Sequence, residues 1–280
     1  MSAFRTAAVV GLGLIGGSVA RALAAGGARV LGWDRDPAAV RDAMAEGVVH
    51  GALAEGSDGI ESAELVVIAV PVDAAGELLA RLAPRLGGAL LVTDVGSTKA
   101  SVVRAAEAAG IGDRFVGSHP LAGDHRSGWG ASREELFRGA RVFLSPTTTA
   151  TDAALRHAEA LWRELGAATE LIDAGEHDRR LAATSHLPQL VATALAAVLA
   201  GRGAGREELG PGGRDMTRLA GSSPEMWTAI ASDNAEPLAA AVAELEHRLR
   251  EIRAALDAND RPAVRRFLED GKRWFGEGAG

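Results

Sequence analysis

A few side chains in this 280-residue chain have the types and the neighbours to do chemistry. Ser97 stands in Gly96-Ser97-Thr98-Lys99, and His119 in Ser118-His119-Pro120-Leu121-Ala122-Gly123, each directly after a short apolar run. A hydroxyl beside an imidazole suits removal of a proton from an alcohol whose hydride leaves to a nicotinamide. Ser97 alone reads as a cap for the helix that follows, and His119 alone as a satisfied loop histidine. Their joint placement points to chemistry. Arg214 and Arg218, in Gly213-Arg214-Asp215-Met216-Thr217-Arg218, carry planar forks that match carboxylates, although an ion-paired, solvated face is the usual setting of an arginine. His186, in Thr184-Ser185-His186-Leu187-Pro188-Gln189, opens an apolar helix, an odd place for an imidazole unless it faces a pocket. His119, His125 and His186 lack any recognised metal-ligand spacing, so no metal is expected.

These groups need a frame, and the chain begins with one. Ala7-Ala8-Val9-Val10 runs into Gly11-Leu12-Gly13-Leu14-Ile15-Gly16, and the glycines run into the helical pattern Ser18 to Ala24. Strand, tight turn and helix in that order make a dinucleotide cradle. Gly11 permits the turn, Gly13 lets the backbone approach a pyrophosphate, and Gly16 lets helix and strand pack closely. Unpaired N–H groups at the helix start favour the anion. A second strand, Ala28 to Trp33, ends at Asp34, the position from which a carboxylate accepts from the adenosine ribose hydroxyls. That predicts NAD over NADP, with Arg35 as the neighbour that could accommodate a ribose phosphate.

Further strands are expected at Glu64–Val70, ending on Pro71, and at Ala89–Val95, with shorter ones at Phe115–Gly117, Val142–Leu144 and Glu170–Ile172. Strands alternating with helical patterns imply a doubly wound, mainly parallel α/β sheet. In such sheets ligands bind outside the carboxyl ends of the strands, which places Ser97, His119 and the strand end Val70-Pro71 on the rim of the glycine turn. After Asp173 the signals turn helical, so the expected domains are 1–173 for the dinucleotide and 174–280 for an all-helical unit. Leu187 to Leu199 is apolar nearly all round and reads as a buried helix. Leu238, Val242, Leu245, Leu249, Ile252 and Leu256 form a seam that needs a partner helix, in this chain or a second copy.

The absence of cysteine excludes disulfides and thiolate catalysis. The net charge of −7, without a Lys/Arg block, argues against nucleic acid. No leader pattern is seen and no apolar run looks long enough to span a bilayer, so a cytoplasmic protein is expected.

The chain resembles the prephenate and arogenate dehydrogenases of tyrosine biosynthesis along nearly its whole length. The likeness rests on Gly11–Gly16 with Asp34, Asp94-x-Gly96-Ser97-x-Lys99, His119-Pro120-x-Ala122-Gly123, His177-Asp178, Ser185-His186-Leu187-Pro188, and Arg214-Asp215-x-Thr217-Arg218-x-Ala220 followed by Met226-Trp227. It implies a Rossmann-type sheet and a helical dimerisation domain; neither a chorismate mutase segment before the cofactor domain nor, given the short remainder after Trp227, the regulatory domain that some relatives append is expected. It also implies NAD-dependent oxidative decarboxylation of a cyclohexadienyl substrate. His119 would take the proton of the ring hydroxyl and Ser97 would position it. Arg218 would pair with a carboxylate, while His186, Arg214 and Trp227 shape the helical side of the pocket. Prephenate is expected over arogenate. Asp124 could serve the ammonium that only arogenate carries, and Gln189, where many relatives have a second histidine, could donate to the keto oxygen of prephenate. Two other readings stand beside this one: a reductase of 2-hydroxyacids or imines on the same plan, and a catalytically silent cofactor sensor.

Overall fold

The computed structural model describes residues 2–54, 59–124 and 126–277. His125 lies outside them. The apolar run after Arg5 forms β1 (Thr6–Val10), and the glycine turn leads into α1 (Leu14–Ala25). Then follow β2 (Arg29–Trp33), α2 (Pro37–Ala45), a two-residue β3 (Gly51–Ala52), β4 (Leu65–Ile68), α3 (Val72–Leu82), β5 (Leu91–Asp94) and α4 (Ala100–Ala108). All five strands are parallel, in the order β3-β2-β1-β4-β5.

Beyond β5 the sheet is carried on by β6 (Val116–Pro120), β7 (Arg141–Pro146) and, after α5 (Asp152–Glu164), β8 (Ala168–Leu171). A parallel bridge between Val92 and Phe115 joins the two groups of strands. β7 runs antiparallel to β6 and β8 parallel to β7. The expected α/β sheet is therefore present, with one reversed strand at its far side.

Register explains why the chemistry gathers on one rim. Trp33, Val10, Ile68 and Asp94 pair across one row, so the segments that leave β2, β1, β4 and β5 start level with one another. Both faces of the sheet are covered. Ala7 and Val9 pack beneath α1 and α5, with Trp162 fully buried, while Ala8 and Val10 pack against Leu78, Leu79 and Val102 of α3 and α4. Burial on both faces is why these strands read as continuous apolar runs.

From Ala174 on the described chain is helical: α6 (Ala174–Leu181), a wide π-type turn at Ala182–His186, α7 (Leu187–Gly201), α8 (Pro211–Met216), α9 (Pro224–Asp233), α10 (Ala235–Asp257) and α11 (Arg261–Glu277). Two expectations are corrected here. α7 is not buried within the chain: of its residues only Gln189 and Ala192 are, and Val198 is 56% exposed. Its all-round apolar character signals a surface that the rest of the chain leaves uncovered. Likewise, α6, the wide turn and α7 form one helical run, Ala174–Gly201, with an apolar window of mean hydropathy 1.3, long and apolar enough by length and composition to cross a membrane. The seam on α10 divides: Leu238 is buried by its own chain, whereas Leu249 and Leu256 are exposed.

Candidate active site

The cofactor end is built by backbone. Gly11 adopts φ +100° and donates its N–H to Trp33 O at 2.7 Å; a Cβ there would stand 2.3 Å from Ala69 O. A Cβ on Gly16 would stand 2.0 Å from Gly11 O, so both glycines are required by the chain itself. Gly13 differs: a Cβ there meets nothing within 4 Å. That position is open to approach from outside, as a pyrophosphate would need. Gly13 is the N-cap of α1 but supplies no side-chain cap, and no acidic residue sits in the first turn, so the helix start stays open to an anion. Asp34 closes β2 with its carboxylate accepting from Leu12 N at 2.6 Å and from Asp36 N at 2.8 Å. Leu14, Ile15 and Val70 are half-buried around the turn, and Arg35 and Pro71 are exposed. These residues fit an NAD molecule.

The loop after β6 is fastened onto α1. Arg133 N donates to Ser18 Oγ at 3.0 Å, and Arg21 lies 4.0 Å over the Trp129 ring, whose Nε1 donates to Glu46. The segment that leaves His119 is thereby fastened to α1.

The chemical centre joins β5, β6 and α6. His119 Nδ1 lies 2.8 Å from His177 Nε2, and His177 Nδ1 lies 2.8 Å from Asp178 Oδ1. Asp178 also accepts from Lys99 N and Ala100 N, both at 2.8 Å, and so caps α4 from a distant part of the chain. The Lys99 side chain turns inward to a fully buried ion pair with Asp94, whose carboxylate also accepts from Gly96 N and Ser118 N. Ser97 makes no cap, contrary to the plain reading of its position. It is half-buried, and its hydroxyl bonds to no described residue.

Burial is the main force on the charges. It pushes His119 well below the usual histidine range, helped by His177, Lys99 and His186, so the ring is neutral at pH 7. Burial lowers Lys99 as well, with Asp94 opposing. For Asp178 burial pulls upward, but the hydrogen bonds from His177, Ala100 and Lys99 outweigh it and keep the carboxylate ionised.

The helical side hangs on Asn234, 2% exposed at the end of α9. Its Nδ2 donates to Asp178 O at 2.8 Å and lies 3.0 Å from His186 Nδ1. The extra residue in the wide turn sets Asp178 and His186 about two helical turns apart and nearly in phase, so one amide reaches both. Burial lowers His186 to about 4. Its ring packs edge-on against Trp227 at 5.8 Å.

Arg218, at the start of the turn Arg218–Gly221, is exposed and bonds to no described residue, whereas Arg214 reaches Glu207 O at 3.2 Å. Gln189 is buried and braces that turn: its Nε2 donates to Leu219 O at 2.8 Å, and Ser222 Oγ stands 3.3 Å from its Oε1. Asp124 accepts from Arg126 and Arg133, and the Arg126 bond holds its carboxyl far below the usual range.

The structure thus joins His119, His186 and Trp227 through residues outside the expected site. His177, Asp178 and Lys99 appeared in the sequence only as motif letters, and Asn234 not at all. An adjacent His-Asp pair near a helix start, after the Asp173 cap, was the one available signal.

Comparison with known proteins bears on the chain as a whole. A family model described as prephenate dehydrogenase, nucleotide-binding domain, matches residues 19–171, and one described as prephenate dehydrogenase, dimerization domain, matches residues 173–270. The chain is 33% identical over 267 residues to a cyclohexadienyl dehydrogenase of Zymomonas mobilis, covering 93% of this chain and 91% of that protein. A solved prephenate dehydrogenase from A. aeolicus, in complex with hydroxyphenyl propionate and NAD+, superposes with a TM-score of 0.88 at 30% identity over 98% of each chain. Synechocystis arogenate dehydrogenase superposes with a TM-score of 0.83 at 28% identity, over 98% of this chain and 100% of that one.

Proposed function

This chain belongs to the prephenate dehydrogenase family, and from that premise we propose which substrate it takes and which residues act on it. It is an NAD-dependent dehydrogenase of the prephenate dehydrogenase type. Its substrate in this reading is prephenate, oxidised and decarboxylated to 4-hydroxyphenylpyruvate, with arogenate second.

The observation that carries the reading is a neutral, tethered imidazole on the rim of the glycine turn. Bound at Gly11–Gly16 and Asp34, NAD supplies the hydride acceptor. His119 takes the ring hydroxyl proton at Nε2, the nitrogen that bonds to no described residue, as the ring carbon gives up its hydride. Loss of the ring carboxylate as carbon dioxide leaves its bonding pair in the ring, which becomes aromatic. The resulting phenolate oxygen recovers the proton from His119. Ser97, whose hydroxyl bonds to no described residue, orients the substrate alcohol. Arg218 pairs with a carboxylate, and His186 and Trp227 wall the helical side.

Prephenate is favoured because Asp124, the carboxylate an ammonium would need, already serves Arg126 and Arg133. Gln189 acts by bracing the Arg218 turn, and Arg214 by holding the preceding loop. NADH formation measured with both substrates tests this. A kcat/KM tenfold higher for arogenate, about 1.4 kcal/mol, would reverse the choice.

The working division is 1–173 for the cofactor and 174–280 for substrate and assembly. We read the protein as a cytoplasmic homodimer in which a second copy covers the open apolar face of α7. The buried His186 and Gln189 on that helical run suit a subunit interface better than a lipid-facing span. Light scattering should give twice the chain mass, and Val198→Asp should reduce it toward one.

A further inference from the structure

We propose that the site holds two neutral histidines in opposite tautomers, and that His177, Asp178 and Asn234 are the positioning residues that set them. What the two imidazoles meet rests on the reading above; their tautomers do not.

A hydrogen bond between two ring nitrogens contains one hydrogen, and its owner follows from the rest of the chain of contacts. Asp178 is the fixed end. Two backbone N–H groups donate to its carboxylate, which is ionised and has no hydrogen to give. The contact with His177 therefore uses a hydrogen on His177 Nδ1. A His177 ring that carries this single hydrogen presents a bare Nε2, so the hydrogen in its 2.8 Å contact with His119 belongs to His119 Nδ1. His119 is left with a lone pair on Nε2. It is an acceptor.

The second histidine is read from a second fixed end. Asp178 O is a carbonyl oxygen and only accepts, so the Asn234 amide must present its nitrogen there. The other hydrogen on that nitrogen is directed to His186 Nδ1, 3.0 Å away, which accepts it. Neutral His186 then carries its own hydrogen on Nε2. It is a donor.

The neutrality of His119 and His186 is imposed by burial; His177, Lys99 and His186 add to it at His119, and at His186 it is opposed by Asp178 and aided by His177. Neither Nε2 bonds to a described residue, and neither is among the fully buried atoms that lack a partner. The site therefore offers an acceptor for a hydroxyl and a donor for a carbonyl or carboxylate oxygen. Both are set from one residue, Asp178, through its carboxylate and its backbone carbonyl. The Nδ1–H form of His119 is the one that a free histidine side chain disfavours, so it has to be held.

The test is a long-range 1H–15N spectrum of the full-length protein labelled with 15N-histidine, at pH 7 and without substrate. His119→Gln and His186→Gln spectra assign the signals. We expect a protonated Nδ1 on His119 and a protonated Nε2 on His186. His177→Gln keeps an oxygen to accept from His119 and an amide to donate to Asp178, so tautomer and most of kcat should survive. His177→Leu should move His119 toward Nε2–H and lower kcat roughly 10²-fold with NAD binding kept, since a wrong tautomer costs up to about 10⁴ in hydrolytic triads. Asn234→Leu should free His186 and raise KM more than it lowers kcat. A bare Nδ1 on wild-type His119, as a cationic His177 would produce, or a protonated Nδ1 on His186, overturns the proposal. Equal kcat for the Gln and Leu variants of His177 does so too. Both tautomers as stated in a protein inactive on prephenate and arogenate would instead overturn the substrate reading alone.

Discussion

The two sides of the cleft are made of different material. The cofactor side is backbone: Gly11 and Gly16 exclude any side chain, Gly13 leaves an open approach, and the one polar group, Asp34, is held by main-chain N–H groups. The substrate side is a web of side chains drawn from β6, α6, the wide turn and the end of α9, in which His119, His177, Asp178, Asn234 and His186 each complete another. A side built from sterics fails when an atom is added. A side built from hydrogen bonds fails when a partner is removed, because the group left behind stays buried and unsatisfied.

That contrast can be broken by mutation. His119→Ala strikes the substrate side hardest, and loss of its acid–base help should lower kcat by about 10²–10⁴ while NAD binding, followed by fluorescence titration, is kept. Retention of kcat would show the web to be scaffolding only. Gly16→Ala strikes the other side by addition; its Cβ meets the Gly11 carbonyl, and it should lower stability by about 1–3 kcal/mol in denaturant melts and abolish NAD binding. Gly13→Ala sharpens the point, for it should leave the melt unchanged and weaken NAD alone. A melt shifted as far as that of Gly16→Ala would refute the distinction.

Arg218→Ala should raise KM roughly 10–100-fold with little change in kcat, the scale of a charge-assisted bond present in ground and transition state alike. An unchanged KM would hand the carboxylate to Arg214. The smallest effect is on stability against pH. His186 has a folded pKa of about 4, below the 6.5 of an ordinary histidine, so the unfolded chain binds the proton first. Its contribution is complete above pH 6.5 and fades as pH falls toward 4, and His119 adds in the same direction. Melts of His186→Gln should fall less steeply over that interval than those of the wild type.

The same contrast explains what the sequence revealed. Local rules write the cofactor side, since glycine spacing, apolar runs and an acid at a strand end are all read within a few residues, and each was found where expected. Partners fixed by packing write the substrate side. Ser97 taken alone reads as the cap of α4, yet the cap is Asp178, which lies far along the chain. Gln189 reads as a substrate contact, and nothing local in the sequence shows that it also braces the Arg218 turn. The two-residue β3 carries too few residues for any period, and the wide turn at Ala182–His186 leaves no mark in composition. α7 read as buried because apolarity reports that a surface is to be covered and not which chain covers it.

Asp178 caps α4, ends the histidine chain and anchors Asn234, so the parts proposed to handle the proton form one clamp spanning the sheet and the helices. The turn bearing Arg218 is outside that clamp and hangs from the amide of Gln189. Evolution therefore meets two separable inheritances in this fold. Under the proposed roles, substitutions around Arg218 change which ring acid is admitted without disturbing how its proton is moved, whereas a change at Asp178 reaches every part at once. Diversification of diet should run through the turn, with the clamp passed on intact.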